Sequence, residues 1–370
     1  MPPDLLSDRA LNRATLERQL LLRRSARAPA ETVGHLVGLQ AQNPLDPYLA
    51  LWSRLDPFDP AAVGDLVEQR ALVRIVLMRG TIHLVTADDA LVLRPLAQPV
   101  LDAEIARHPE FAPHLVGVDL DPVLAFAHSL LGRQPLGGAK LRAALAERFP
   151  GLHAAALAYA CRCLLPLVQV PPRGVWGRTG QVTSTPLDSW VGRSLAESPA
   201  IDAVLLRYLA AFGPAGVADA ATWSRLTRLR EVFDRLRPGL RSFRDGRDRE
   251  LFDLPDAPRP DPDTPAPVRF LPEYDNVLLS HADRSRFTPD GHRGLAMAVG
   301  PYKGAVLVDG QVKGIWRSEH DKPTKRSTVV VEHLRLTATA TSAVEAEAHR
   351  LVGFWHGDAA VRDVRLLSLD

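Results

Sequence analysis

The chain has 370 residues, enough material for two or three domains with buried cores. Its apolar fraction of 46% and charged fraction of 24% are those of an ordinary soluble globular protein. The net charge is only +2, which excludes an overall cationic attraction to nucleic acid, so any basic surface must arise from local segregation of charge.

The first 115 residues carry a pattern of three helices and a hairpin. Asp59-Pro60 is a good N-cap followed by a first helical residue. The Val-, Ile- and Leu-rich run that comes later is broken at Arg79-Gly80, as in a β-hairpin. The predicted segments are helices at 8–27, 30–39 and 60–70 and a hairpin at 72–85. This order indicates a winged helix, a variant of the helix-turn-helix.

The same order of elements returns twice. The second set is predicted as helices at 121–131, 139–148 and 153–165 with a wing at 168–185. The third is predicted as helices at 199–212, 217–226 and 228–237 with a hairpin at 240–254 around Asp245-Gly246. We therefore predict an α+β fold of three tandem winged-helix units. The predicted domains are 1–115, 116–195 and 196–370, the last including a strand-rich C-terminal part.

The C-terminal part begins after a proline-rich linker at 256–267. A hairpin is predicted at 304–316, with its turn at Asp309-Gly310. A strand at 327–336 follows, and then a helix at 342–355 for which Ser342 is the expected N-cap.

Cysteine usage indicates no metal site. Cys161 and Cys163 lie in an apolar helical run, where buried helix positions are more frequent than a disulfide or a metal pair, and no second cluster of ligands exists. We predict no metal and no cofactor. With no signal-peptide core and no apolar run long enough to cross a bilayer, the sequence predicts a cytoplasmic protein without membrane contact.

The segment Gln40-Ala41-Gln42 is the candidate catalytic element. Asn43 precedes Pro44, which pushes it out of the α region, so the preceding helix should stop near residue 40. In an extended segment, Gln40 and Gln42 share one face and aim two neutral amides at one point. The alternative is a polar helix end that satisfies its own carbonyls, and the local pattern alone favours that alternative.

Two arginine-rich places could bind phosphates. Residues 225–249 hold nine arginines, which suit a recognition helix and wing but also a solvated helix with internal ion pairs. His281, Arg284 and Arg286 could bind the phosphates of a DNA backbone, or they could form a structural group of ion pairs. The common phosphate-loop, dinucleotide, zinc-protease and serine-hydrolase motifs are missing, so the residues alone indicate a DNA-binding winged-helix protein.

Four segments resemble the AlkZ-type winged-helix DNA glycosylases. They are Gly38 to Pro44 with the Gln-x-Gln motif, Met78 to Val85, Leu271 to Asn276 running on to Arg284, and Leu307 to Gly310 with Trp316. Each segment alone is a weak match, but the four segments follow in order over nearly the whole chain. The resemblance implies three tandem winged helices around a concave DNA-binding channel, and hydrolysis of the N-glycosidic bond of N7-alkylated purines.

The resemblance also implies roles for residues. Gln40 and Gln42 would be catalytic, Gln42 placing a water and Gln40 assisting it or stabilising the sugar through their amide oxygens. A related branch carries Gln-x-Asp and is broader in substrate. The glutamine at 42 places this chain with the branch that unhooks interstrand crosslinks made by azinomycin-like agents. Expected DNA contacts are Asn43, Arg79, His281, Arg284, Arg286, Gln311 and Lys313.

The expected partner is double-stranded DNA that carries N7-alkylguanine lesions or crosslinks. A crosslinked nucleotide cannot swing out freely, so we expect an open basic cleft without a deep base pocket, probed by the hairpin at Asp309-Gly310. A monomer is expected, because three units already form a channel. One rival is a non-catalytic, dimeric winged-helix regulator with sequence-specific affinity. A weaker one is a hydrolase or binding protein for a small drug.

Overall fold

The computed structural model describes residues 4–288, 295, 299–300 and 303–369, which form an α+β fold. The helices are α1 (Asp8–Arg18), α2 (Pro29–His35), α3 (Asp46–Trp52), α4 (Pro60–Glu68), α5 (Ala87–Arg107), α6 (Asp121–Arg133), α7 (Gly138–Arg148), α8 (Ala154–Leu164), α9 (Leu187–Val191), α10 (Ile201–Phe212), α11 (Val217–Ser224), α12 (Leu229–Leu236), α13 (Asn276–Leu279) and α14 (Ala338–Trp355). No helix in this described part combines the length and apolar character needed to cross a bilayer.

The strands form three sheets. The strands are β1 (Asp4–Leu6), β2 (Leu39–Gln40), β3 (Leu72–Val76), β4 (Ile82–Thr86), β5 (Leu167–Gln169), β6 (Ser184–Pro186), β7 (Arg241–Asp245), β8 (Glu250–Asp253), β9 (Arg269–Leu271), β10 (Gly304–Val308), β11 (Gln311–Asp321), β12 (Arg326–His333) and β13 (Val361–Ser368). Their orders are β1-β7-β8, β2-β4-β3-β5-β6 and β13-β12-β11-β10-β9.

The N-terminal helices differ from the prediction of one helix over 8–27. α1 starts at the N-cap Ser7 and ends at Arg18. Leu20 then has a positive φ of 58°, and the Leu21 N–H donates to the Leu16 carbonyl, which closes the helix end. A leucine rather than a glycine makes this turn, so the sequence shows no stop signal.

In the region predicted as the first unit, the helices α2, α3 and α4 precede the β3–β4 hairpin. The predicted cap of α4 is confirmed, since Asp59 accepts a hydrogen bond from the Ala61 N–H at 2.9 Å. α3 was not predicted. All seven of its residues are buried, so it has no polar face and shows no helical periodicity.

The predicted hairpins and most later helices are confirmed within a few residues. The C-terminal helix α14 begins earlier than predicted, because Thr337 rather than Ser342 is its N-cap and accepts from the Ala340 N–H at 3.2 Å. The strand β13 was not predicted. It pairs in parallel with β12 along eight residues and completes the C-terminal sheet.

Strand pairing and packing join the three units. In the central sheet, β5 of the second unit pairs with β3 of the first, with Val168 opposite Ile75. One buried core cluster contains both of these residues together with Phe212 and Phe252 of the third unit. The hairpin between β3 and β4 therefore lies where the three predicted units meet, and this position places the candidate site.

Candidate active site and DNA-binding surface

A sharp backbone turn carries the chain from α2 into the Gln-x-Gln segment. Val37 and Gly38 both have positive φ, at 54° and 96°. A Cβ on Gly38 would lie 2.6 Å from the side chain of Val85, so only glycine fits. The Gly38 carbonyl accepts a hydrogen bond from the buried Asn276 side chain at 2.8 Å. Asn276, 238 residues away, thus holds the entrance to the motif.

The segment itself is extended, as the sequence predicted. β2 pairs with β4, with Gln40 opposite His83, and the Ala41 N–H donates to the Ile82 carbonyl at 2.7 Å. Gln40 is 7% exposed, whereas Gln42 is exposed. The Gln42 Oε1 lies 3.5 Å from the Ile82 N–H, a long contact that leaves the amide accessible.

Arg79 holds the amide of Gln40. It has a positive φ of 59°, and this backbone turn in the β3–β4 hairpin sends its side chain back toward β2. Its guanidinium donates to the Gln40 Oε1 at 2.7 Å and to the Trp223 carbonyl of α11 at 2.7 Å. A guanidinium can only donate, so the Gln40 carbonyl must face Arg79 and the NH₂ group must point elsewhere.

His83 is a neutral part of this arrangement. Its Nδ1 lies 2.9 Å from the Thr81 carbonyl and must carry the proton, which leaves Nε2 to accept from Arg79 at 3.3 Å. Burial and the nearby charge of Arg79 lower the pKa of His83 to about 3. His83 therefore cannot serve as an acid near neutral pH.

Arg74 lies behind the motif. It is 1% exposed and donates to the Ala41 carbonyl, between the two glutamines, at 2.9 Å. A Cβ on Gly174 would lie 2.7 Å from the Arg74 side chain, so glycine makes room for it. Burial lowers the pKa of Arg74 to about 10, which keeps it charged at neutral pH. Arg74 therefore fixes the backbone between the two glutamines.

The arginines near Arg79 line a cleft of about 1010 Å³ between α5, α8 and the α11–α12 turn. Its charged lining residues are Arg79, Arg107, Arg162, Arg225, Arg228, Arg235, Glu104 and Glu231. Burial, followed by the charges of Arg225 and Arg284, lowers the pKa of Arg79 to about 10. Arg225 and Arg284 are exposed, so this rim is a locally basic surface beside Gln40.

The arginines of residues 225–249 divide into two groups. Arg235 and Arg237 form ion pairs with Asp202 and Glu250. Arg247 and Arg249 pair with Asp283 at 2.7 and 2.5 Å. Within the described part of the chain, Arg225 and Arg228 make no ion pair. The alternative of structural ion pairs therefore applies to the C-terminal half of this stretch. In the α11–α12 turn, the arginine charges remain available to bind phosphates.

Two predicted DNA contacts are interior residues, which corrects the predicted set. His281 is 1% exposed, contacts the Phe212 carbonyl through Nε2 at 3.0 Å, and has its pKa lowered to about 3 by burial. Arg286 is 5% exposed and donates to Thr15 and to the Pro214 carbonyl. Neither can reach a phosphate from these positions. Of the three DNA contacts predicted in this loop, Arg284 is the exposed one.

The turn at Asp309-Gly310 contacts α1 while Asp309 itself stays exposed, so its expected role in probing DNA stays a prediction. Asp309 pairs with Arg9 at 2.7 Å and with Arg13, and the Gly310 carbonyl accepts from Asn12 at 2.7 Å. Gln311 and Lys313 follow on β11 and are half-buried. Gln311 lines a separate cleft of about 340 Å³ beside Arg9 and Asn12, not the one beside Gln40.

Asn43, another predicted contact, has a local role in this structure. Its Oδ1 accepts from the Leu45 N–H at 3.1 Å and forms the turn into α3. The structure thus brings Gln40, Arg79 and the charge of Arg284 together, and leaves Gln311 and Lys313 apart from them. The described residues contain no group of three or more His, Cys, Asp or Glu side chains that could hold a metal ion.

Comparison with known proteins identifies the fold and the family. No individually curated protein matches the chain. The DNA glycosylase AlkZ of Streptomyces sahachiroi has a similar structure, with a TM-score of 0.73 over 98% of this chain and 100% of that chain at 22% sequence identity, which shows a shared fold. The family model described as DNA glycosylase AlkZ-like matches residues 33–354. The chain therefore belongs to the AlkZ-like DNA glycosylase family and is a DNA glycosylase.

Proposed function

We propose that this DNA glycosylase removes N7-alkylated purines and unhooks guanines joined in interstrand crosslinks of the azinomycin type, with Gln40 and Gln42 as the catalytic residues. The observation that carries the proposal is the neutrality of the motif. Gln40 is bound by Arg79, and Gln42 carries an accessible amide. Such a site suits a substrate whose leaving group needs no protonation, and a 7-alkylguanine is already cationic.

The reaction is a hydrolysis at C1′ of the lesion. The C1′–N9 bond breaks, and its electron pair goes to the base, which loses its positive charge and leaves as neutral 7-alkylguanine. A water oxygen forms the new bond to C1′, and the water proton passes to solvent. The transition state has oxocarbenium character, so oriented dipoles near the sugar stabilise it.

The two glutamines have different roles in this scheme. The exposed Gln42 carbonyl accepts a hydrogen bond from the attacking water and places it against C1′. The Gln40 carbonyl is occupied by Arg79, so Gln40 offers its NH₂ group as a donor. Acceptors on the departing purine or on the water suit that donor. This division keeps the expected role of Gln42 and differs from the expectation that Gln40 acts through its amide oxygen.

The basic rim supplies the attraction to DNA. Arg225 lines the cleft, Arg284 lies near enough to Arg79 for its charge to act there, and both would neutralise phosphates beside the lesion. Such contacts carry no sequence information, which suits an enzyme that acts on damage wherever it occurs.

The test of the proposed function uses purified protein and a duplex with a single N7-methylguanine, then a duplex with one azinomycin-type crosslink. Abasic sites after mild alkali are the readout. We expect release from both. A regulator would bind undamaged DNA tightly and release no base from either duplex, and a drug hydrolase would consume the free agent in the absence of DNA.

The arginine rim yields a further expected result. Arg225→Ala and Arg284→Ala should each weaken DNA binding, and each should reduce the slope of log K against log salt by about one unit. The single-turnover release rate at saturating DNA should stay near that of the wild type. Binding is measured by fluorescence anisotropy over a salt series. Arg178→Ala, which removes an arginine paired with Glu68, is the matched control. An unchanged salt slope in both rim variants would remove this surface from the DNA path.

A further inference from the structure

A second cavity, of about 490 Å³, lies beside Gln42. The β3–β4 hairpin forms one wall through Val76 and Ile82, and the second unit forms the other through Leu131 and Leu141. Gln42, which the proposed reaction uses to place the water, lines this cavity, and the proposed reaction gives its other lining residues no role. We call it the Gln42 cavity. Its existence also differs from the expectation of an open cleft alone.

The walls of the Gln42 cavity have a specific chemistry. They are mostly apolar, and Val182 at the rim is a large apolar side chain that is 42% exposed. Gln169 also lines the cavity, and its Oε1 is buried without a hydrogen-bond partner in the described structure. A buried unpaired carbonyl oxygen is uncommon and indicates a missing donor. The site therefore fits an apolar group that carries one hydrogen-bond donor.

The position of the cavity relates it to DNA. Arg162 lines both the Gln42 cavity and the basic cleft beside Arg79. A duplex held along the cleft would therefore pass close to the cavity, whose wall includes Gln42. Phosphates do not suit the apolar walls. Cavities of roughly 300–1,000 Å³ hold drug-sized ligands, and a methyl group would leave this one nearly empty.

We infer that the Gln42 cavity receives the bulky apolar part of an N7 substituent while Gln42 acts at the sugar of the same nucleotide. This inference rests on the proposed function and adds a substrate class to it: adducts with an extended apolar body and a donor group that bonds to the Gln169 carbonyl. A base swung out of the helix would be the other occupant. It is disfavoured because a purine edge needs several polar partners, whereas the walls are mainly apolar.

The test fills the mouth of the cavity with side chains that the fold tolerates. Val182→Trp acts at an exposed rim position. Gly138→Phe adds a side chain at the start of α7, where a Cβ meets no atom within 4 Å. Val361→Trp is the matched control, since Val361 is similarly exposed at 37% and does not line the cavity. The substrates are duplexes with a single N7-methylguanine or a single N7-(biphenylmethyl)guanine, and single-turnover release is measured above spontaneous depurination.

We expect the wild type and the control to release both bases. The two filling variants should lower release of the biphenylmethyl adduct by about tenfold or more and leave N7-methylguanine release within about twofold. A biphenylmethyl adduct that carries a hydroxyl group should be released faster than the plain one, and Gln169→Leu should abolish that difference. Loss on both substrates together would assign the cavity to the base itself and overturn the inference.

The outcomes also separate the two proposals. The inference fails while the proposed function stands if the wild type releases N7-methylguanine but not the bulky adduct. The same holds if the filling variants change the release of both substrates equally. If the wild type releases neither base, the proposed function fails and the inference fails with it.

Discussion

Gln42→Ala is expected to slow release of 7-methylguanine by about 10²-fold. Removal of one preorganised polar group from an active site typically costs about 10²–10³-fold in rate, and the reactive cationic leaving group limits the loss to the lower end. The Gln42 amide is exposed and takes little part in packing, so the thermal midpoint should stay unchanged. The measurement is single-turnover release from a duplex with one N7-methylguanine, alongside thermal unfolding.

Gln42→Asp supplies the comparison for that result. A carboxylate at this position can hold the same water, and the related branch that carries Gln-x-Asp has one there. This variant should keep release of 7-methylguanine well above that of Gln42→Ala. If Gln42→Ala releases the base within about twofold of the wild type, water positioning by Gln42 is excluded.

The same experiment has a pH signature. Glutamines do not titrate, and the nearest ionisable groups lie outside the neutral range, with the pKa of His83 at about 3 and that of Arg79 at about 10. Release should therefore be flat between about pH 6 and pH 9. Asp46 is a group that titrates inside this pH range, because burial and the charges of Glu273 and Asp275 raise its pKa to about 8. A rate that titrates near pH 8 and becomes flat in Asp46→Asn would assign that carboxyl a part in the reaction.

Asp46 also makes an expected contribution to stability. Its folded pKa is raised above the unfolded value of 3.8, so the unfolded chain loses its proton first as pH rises. The contribution of protonated Asp46 to the free energy of unfolding is complete below about pH 4. It is lost as pH rises through about 8. This change in folding must be separated from any change in the release rate.

The geometry of the motif could be predicted only in part from sequence. An extended segment could be predicted from Pro44, which restricts the residue before it, and from the two-residue spacing of the glutamines. Both signals are local in the sequence. The hydrogen bonds that fix the motif come from Arg74, Arg79 and Asn276, which reach it only after the sheet and the units have assembled. No local pattern marks Arg74, which lies in an otherwise apolar strand.

Charged loops were the least predictable elements. His281 and Arg286 lie in a polar stretch that resembles an exposed loop. In the structure both are buried, and they contact the carbonyls of Phe212 and Pro214. The turn at Asp309-Gly310 has ordinary hairpin chemistry, yet Asp309 forms ion pairs with Arg9 and Arg13 of α1. In both cases the partner lies far away in the chain, so these contacts could not be inferred from the local sequence.

The second large effect is expected from Arg79→Met. Arg79 is the residue that fixes which end of the Gln40 amide faces the substrate, and it links this amide to the Trp223 carbonyl. Hydrogen bonds from a charged donor contribute about 1.5–3 kcal/mol, so release should fall roughly 10–100-fold. Arg207→Met is the matched control. It removes a partly buried arginine paired with Asp89 that does not contact the motif, so it should lower stability more than rate.

A double-mutant cycle separates positioning from a general loss of structure. If Arg79 acts by orienting Gln40, then Gln40→Ala and Arg79→Met should each slow release to a similar extent, and the double variant should be no slower than the worse of the two. Arg79→Lys should be intermediate, because an ammonium keeps the charge but lacks the planar fork that reaches both carbonyls. Additive losses in the cycle, or an Arg79 effect confined to DNA affinity, would instead make Arg79 a phosphate contact. The rate at saturating DNA decides between these two roles.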